Sequence, residues 1–96
     1  MPLTHAVMFT LHDAADAPEA AERLRAMAGR IPALHGIEVG TNVHTGEGLP
    51  HLLLLTRHAD LQGLRAYDTD PIHQDLLSWI RPRIAARVAV DTSDLA

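Results

Sequence analysis

The chain has 96 residues, no cysteine, 47% hydrophobic residues and a net charge of −4 with neutral histidines. A chain of this length makes one domain, 1–96 with an ordered core over 4–92, and the missing thiols exclude disulfides, thiolate chemistry and Cys-based zinc. The acidic balance and eight dispersed arginines, with no lysine, speak against a nucleic-acid partner, and no apolar run or leader-like segment points to a membrane or secretion, so a cytoplasmic protein is expected.

Residues 4–12 alternate as a strand. His5, Val7, Phe9 and Leu11 share one face, and Ala6, Met8, Thr10 and His12 share the other. Both faces are largely apolar, which predicts a strand covered on both sides. Residues 13–17 form a short connection. Asp16 then caps a helix with Pro18 in its first turn, whose stripe Ala17, Ala20, Ala21, Leu24, Met27, Ala28 and Ile31 runs until Gly29 and Pro32 stop it.

A second strand is predicted over 36–44, a loop over 45–50 and a third strand over 51–58, where four consecutive leucines again imply cover on both faces. Asp60 caps a second helix carrying Leu61, Leu64 and Tyr67. Asp70 caps a third, with Pro71 at its first position and Ile72, Leu76, Leu77 and Ile80 on one stripe. Residues 84–91 make the last strand, and 93–96 are expected to be loose.

The order is β-α-β-β-α-β with the second α split in two. It predicts an α+β, ferredoxin-like domain: an antiparallel four-stranded sheet with its helices on one face. The other face needs cover, and an identical sheet from a second subunit is the simplest source. The face holding His5, Val7 and Phe9 is assigned to that contact.

Four segments resemble the stress-responsive A/B barrel family. They are THAVMFTL at 4–11, IPALHGIEVGTNV at 31–43, LLLLTRHADLQGLRAY at 52–67 and YDTDPIHQDL at 67–76, whose Tyr67, Pro71 and His73 are the most specific part. The resemblance implies a homodimeric α+β barrel with a cleft in each subunit. The family includes a polyketide cyclase that closes a ring by an aldol-type step without cofactor. It also includes stress-induced and bacterial members without settled chemistry.

From that cyclase the resemblance carries over Tyr67, His73 and His5. His73 is then a candidate general base, since an imidazole titrates near neutral pH, and Tyr67 a candidate donor to a developing enolate oxygen. His5, Val7 and Phe9 are the candidate ligand-binding wall for a small apolar or aromatic molecule. No cofactor is implied. His5 with His73, or His44 with His51, can supply imidazole ligands, but no spaced carboxylate completes a set, so no metal is expected. Arg57 and Arg65 can reach a carboxylate at the cleft mouth, although solvated side chains account for them better. Trp79 is expected in the core.

Two functions follow. One is a cofactor-free cyclase or lyase, or a carrier of an apolar ligand. The other is a non-enzymatic dimer serving stability or partner binding. A cofactor-free monooxygenase on the same architecture is a weaker third.

Overall fold

The computed structural model describes residues 2–96. Its elements run β1 (Leu3–Leu11), α1 (Ala17–Arg25), β2 (Gly36–Thr41), β3 (Leu52–His58), α2 (Leu61–Thr69), α3 (Pro71–Ile80) and β4 (Ile84–Thr92), with 3₁₀ turns at Ala14–Asp16 and Arg81–Arg83. The four strands form one antiparallel sheet in the order β2-β3-β1-β4. This is the ferredoxin-like α+β fold that the element order predicts.

The two helix starts after β3 follow the capping rules closely. The Asp60 carboxylate accepts from the Gly63 N–H at 2.8 Å, and the Asp70 carboxylate from the Ile72 N–H at 2.9 Å. Pro71, with no N–H to satisfy, then opens α3. The first helix departs from expectation at both ends. Its Asp16 makes no capping hydrogen bond and instead faces Arg83 at 3.9 Å, while Asp13 caps the preceding 3₁₀ turn through the Ala15 N–H. Regular helix stops at Arg25, and a turn through Gly29 (φ +74°) carries the chain on. Met27 and Ile31 are buried all the same, so the apolar stripe outlasts the helix.

The core lies between one sheet face and the helices. Val7, Phe9 and Leu11 of β1 and Leu52 and Leu54 of β3 meet Ala20, Ala21 and Leu24 of α1, Leu64 and Tyr67 of α2, and Leu76 and Ile80 of α3. This reverses the face assignment for β1. His5, Val7 and Phe9 sit under the helices, and the open face carries Ala6, Met8 and Thr10. Alternation alone could not set the phase, because both sets are apolar. The bulkier Phe9 and Leu11 take the side where the helices cover more area.

The open face is strongly apolar. Register places Leu53, Met8 and Val88 in one row across β3, β1 and β4, and Leu55, Ala6 and Val90 in the next. Met8 is 44% exposed, Leu53 43%, Val88 58% and Val90 59%. These rows leave a contiguous aliphatic strip uncovered on the sheet face away from the helices.

Trp79 is half-buried rather than in the core. Its ring lies between the Arg23 and Arg83 guanidinium groups, at 4.4 and 4.2 Å from the centroid. It closes the end of the α1–α3 contact through cation–π stacking.

Candidate functional site

β4 is an outer strand, and its inward-facing residues Arg87, Ala89 and Asp91 remain exposed. A cleft of about 430 Å³ lies beside them on the helix side of the sheet. Its floor is His5, Val7 and Phe9 of β1 with Leu54 of β3. Its wall is Tyr67 and Asp68 at the end of α2 with His73, Gln74 and Leu77 of α3, and Arg81, Ile84 and Arg87 complete its rim. The volume suits one small molecule.

The α2–α3 junction brings Tyr67 and His73 together. Asp70 leaves the helical region at ψ 136°, its side chain caps α3, and the chain turns so that His73 stands in the first turn. The two rings are 4.3 Å apart between centroids and tilted by 38°. The His73 Nδ1–H donates to the Asp68 carbonyl at 3.0 Å, which leaves Nε2 as the nitrogen with a free lone pair.

Tyr67 is buried, yet its hydroxyl has no hydrogen-bond partner among the described residues and is not sealed off, so it opens on the cleft. Burial, followed by the nearby Asp68 charge, pushes the phenol well above its usual range, against a smaller opposing effect of Arg87. Tyr67 is therefore a neutral O–H donor at any ordinary pH.

His5 stands on the cleft floor, and its Nδ1–H donates to the Asp91 carboxylate across the β1–β4 ladder, where the two residues are direct register partners. A carboxylate behind an imidazole fixes the orientation of the ring. Tyr67, His73, His5, Val7 and Phe9 thus all line one cleft.

Other residues fall elsewhere. Arg57 points to the open face and pairs with Glu38, and Arg65 is not at the cleft. The arginines at the rim are Arg81 and Arg87, which the sequence reading did not select. His51 is structural, its Nδ1 accepting from the Leu11 N–H at 2.9 Å, and the His44 N–H donates to the Asn42 side chain. Among the described residues no group of three His, Cys, Asp or Glu side chains comes together as metal ligands.

His58 is the residue the sequence reading missed. It packs against Tyr67, with ring centroids 4.9 Å apart and the planes tilted by 48°, and is fully buried. Its Nδ1–H donates to the Ala33 carbonyl at 2.8 Å, and its Nε2 accepts from the Thr56 hydroxyl at 2.9 Å. Burial pulls its pKa down, outweighing the backbone hydrogen bond that pulls it up. His58 is a neutral, satisfied support that holds the tyrosine ring against the cleft. The alternation Leu52, Leu54, Thr56, His58 already placed it on the inner face of β3.

The family model described as "Stress responsive A/B Barrel Domain" matches residues 3–94. Among curated protein sequences, none matches this one. A dimeric ferredoxin-like protein of unknown function from Thermobifida fusca YX is 25% identical, with a TM-score of 0.83 over 97% of this chain and 91% of that one. A dimeric protein of unknown function and ferredoxin-like fold from Bacteroides fragilis NCTC 9343 is 24% identical, with a TM-score of 0.84 over 96% and 95%. The hydroxynitrile lyase from Passiflora edulis shares the fold at 8% identity, with a TM-score of 0.79 over 99% of this chain and 96% of that one.

Proposed function

Because this chain belongs to the stress-responsive A/B barrel domain family, we propose that it works as a homodimer whose subunits each offer a small-molecule cleft for cofactor-free proton transfer. The dimer forms through the open sheet face, where the rows Leu53–Met8–Val88 and Leu55–Ala6–Val90 meet their counterparts. Burying that aliphatic surface supplies the association energy. The dimeric relatives from Thermobifida fusca and Bacteroides fragilis support this assembly. The cleft lies on the opposite side of the sheet, so it stays open in the dimer.

The observation that carries the functional reading is the Tyr67–His73 pair in one apolar-floored cleft: a phenol O–H without a protein partner beside an imidazole whose Nδ1–H is already committed. A ketone bound with its oxygen on the Tyr67 hydroxyl presents its α-carbon to His73 Nε2. Nε2 takes the α-proton, the C–H electron pair becomes the enolate π-bond, and the oxygen gathers negative charge against the Tyr67 O–H. The enolate carbon then attacks an internal carbonyl, whose π-bond opens to an alkoxide that takes the proton back from His73 Nε2–H, or the proton returns to carbon. No electron leaves the pair of reactants, so no cofactor is required. A positioned base contributes roughly 100- to 10,000-fold to such a step. His5, held by Asp91, shapes the floor beside the substrate carbonyl.

The test reads the proton transfer itself. Aryl and alkyl ketones incubated with the protein in deuterated water should exchange their α-protons faster than in buffer, as followed by proton NMR. His73→Ala should lower that rate by about 100-fold, the lower end of general-base effects. Exchange at the buffer rate across the whole panel would refute the reading.

A further inference from the structure

We propose that the substrate of this cleft carries a carboxylate, gripped at the rim by Arg81 and Arg87 while its apolar body lies inward on Val7, Phe9, Leu54 and Leu77. The inference rests on the small-molecule reading of the cleft and adds the class of molecule.

Its first support is the company the arginines keep. Arg23, Arg57 and Arg83 are engaged with Glu19, Glu38 and Asp16. Among the described residues, neither Arg81 nor Arg87 meets a carboxylate or makes a side-chain hydrogen bond, yet both line the same cleft. Arg30 and Arg65 are likewise without a side-chain partner among the described residues, but Arg81 and Arg87 are the two that meet at this cleft, in a chain of net charge −4.

The second support is how they are held there. Arg87 is the register partner of Phe9, so the pleat of β4 turns it toward the helices and not toward the open face. Arg81 begins the 3₁₀ turn that joins α3 to β4, and thus approaches the cleft from a different element. Two guanidinium groups thus reach one cleft from two elements, and guanidinium is the cation best matched to a planar carboxylate.

Asp68 also lines the cleft, but it makes no ion pair with either arginine among the described residues. Its backbone carbonyl is taken by His73 and Gln74. Two guanidinium groups thus line the cleft against the one Asp68 carboxylate, while the Asp91 carboxylate behind the floor is taken by His5. Apart from the Gln74 amide, which is turned to the Asp68 carbonyl, and the two histidines, the remaining lining is aliphatic and aromatic. A molecule with an anionic end and an apolar end satisfies both regions together, whereas a purely apolar one leaves the rim unpaired.

The experiment compares benzoylpropionate, an aryl ketone ending in a carboxylate, with its primary amide, which has the same shape and no charge. Binding is read by calorimetry and α-proton exchange by NMR, on the intact dimer, for wild type, Arg65→Gln and the double variant Arg81→Gln/Arg87→Gln. Wild type and Arg65→Gln should prefer the acid over the amide, and the double variant should lose at least tenfold of that preference. Circular dichroism and melting temperature check that the double variant, altered at two exposed positions, remains folded. Equal handling of acid and amide by wild type overturns the carboxylate assignment and leaves the cleft reading standing. An acid preference that survives in the double variant also overturns it. If neither compound binds or exchanges, both the cleft reading and this inference fall.

Discussion

The rings of Tyr67 and His73 lie 4.3 Å apart across a helix junction, and the position of each depends on the same residue, Asp70. Asp70 ends α2 just after the tyrosine and caps α3 just before the histidine. The junction is therefore both a stability element and the part that sets the site.

The caps give the first prediction. Asp70→Ala and Asp60→Ala each remove a side-chain acceptor from a helix start, at a cost of about 1 kcal/mol. Asp16→Ala should cost less, within about 0.5 kcal/mol, because Asp16 makes no capping bond and its contact with Arg83 is long and exposed. Urea denaturation of the three variants checks this ordering. An Asp16 variant as damaged as the Asp70 variant would contradict the assignment of the α1 start.

The open face gives the second. Met8→Asp places a charge in the middle of the Leu53–Met8–Val88 row and should convert the dimer to a monomer at micromolar concentration, since burying an unpaired carboxylate is costly. Phe9→Ala, on the other face of the same strand, should instead lower stability by about 3–5 kcal/mol through a core cavity. Sedimentation and thermal melting separate the two. A Met8→Asp protein that sediments as an unchanged dimer would place the interface elsewhere.

His58 gives a pH dependence. Burial lowers its folded pKa below the unfolded value of about 6.5, so below that pH the unfolded state binds more protons than the folded one. Stability is therefore lost as pH falls through and below about 6.5, and the loss continues down to the folded pKa. The melting temperature should drop between about pH 7 and pH 5, and His58→Gln, which does not titrate, should show a shallower slope there. An unchanged slope would mean that other groups govern the acid limb.

The elements were legible because their signals are local. Asp60, Asp70 and Pro71 announce helix starts by their own chemistry, and the Tyr67–His73 spacing survives any error in helix ends. The phase of β1 was not legible, because Ala6 and Met8 are as apolar as Val7 and Phe9, and only the packing of the helices chooses between them. The end of α1 was hidden for a related reason: Met27 and Ile31 continue the stripe into a turn that still packs on the core. Arg87 escaped notice although β4 carries a clear alternation, with Arg87, Ala89 and Asp91 on one side and Val88 and Val90 on the other. The polar set reads as the solvent side of an edge strand until the cleft above it is seen. His5–Asp91 needed the β1–β4 register, which no local pattern supplies.

The most direct test of the central claim is chemical rescue of His73→Ala with free imidazole. The claim requires a base at that one place in the cleft, so the variant should remain a folded dimer and lose about 100-fold in α-proton exchange, the lower end of general-base effects. Added imidazole should then restore the rate with saturation, while Tyr67→Phe, which loses the donor to the enolate oxygen, should not respond to imidazole at all. A His73→Ala protein that exchanges substrate at the wild-type rate, or that loses only melting temperature and gains nothing from imidazole, would contradict the account.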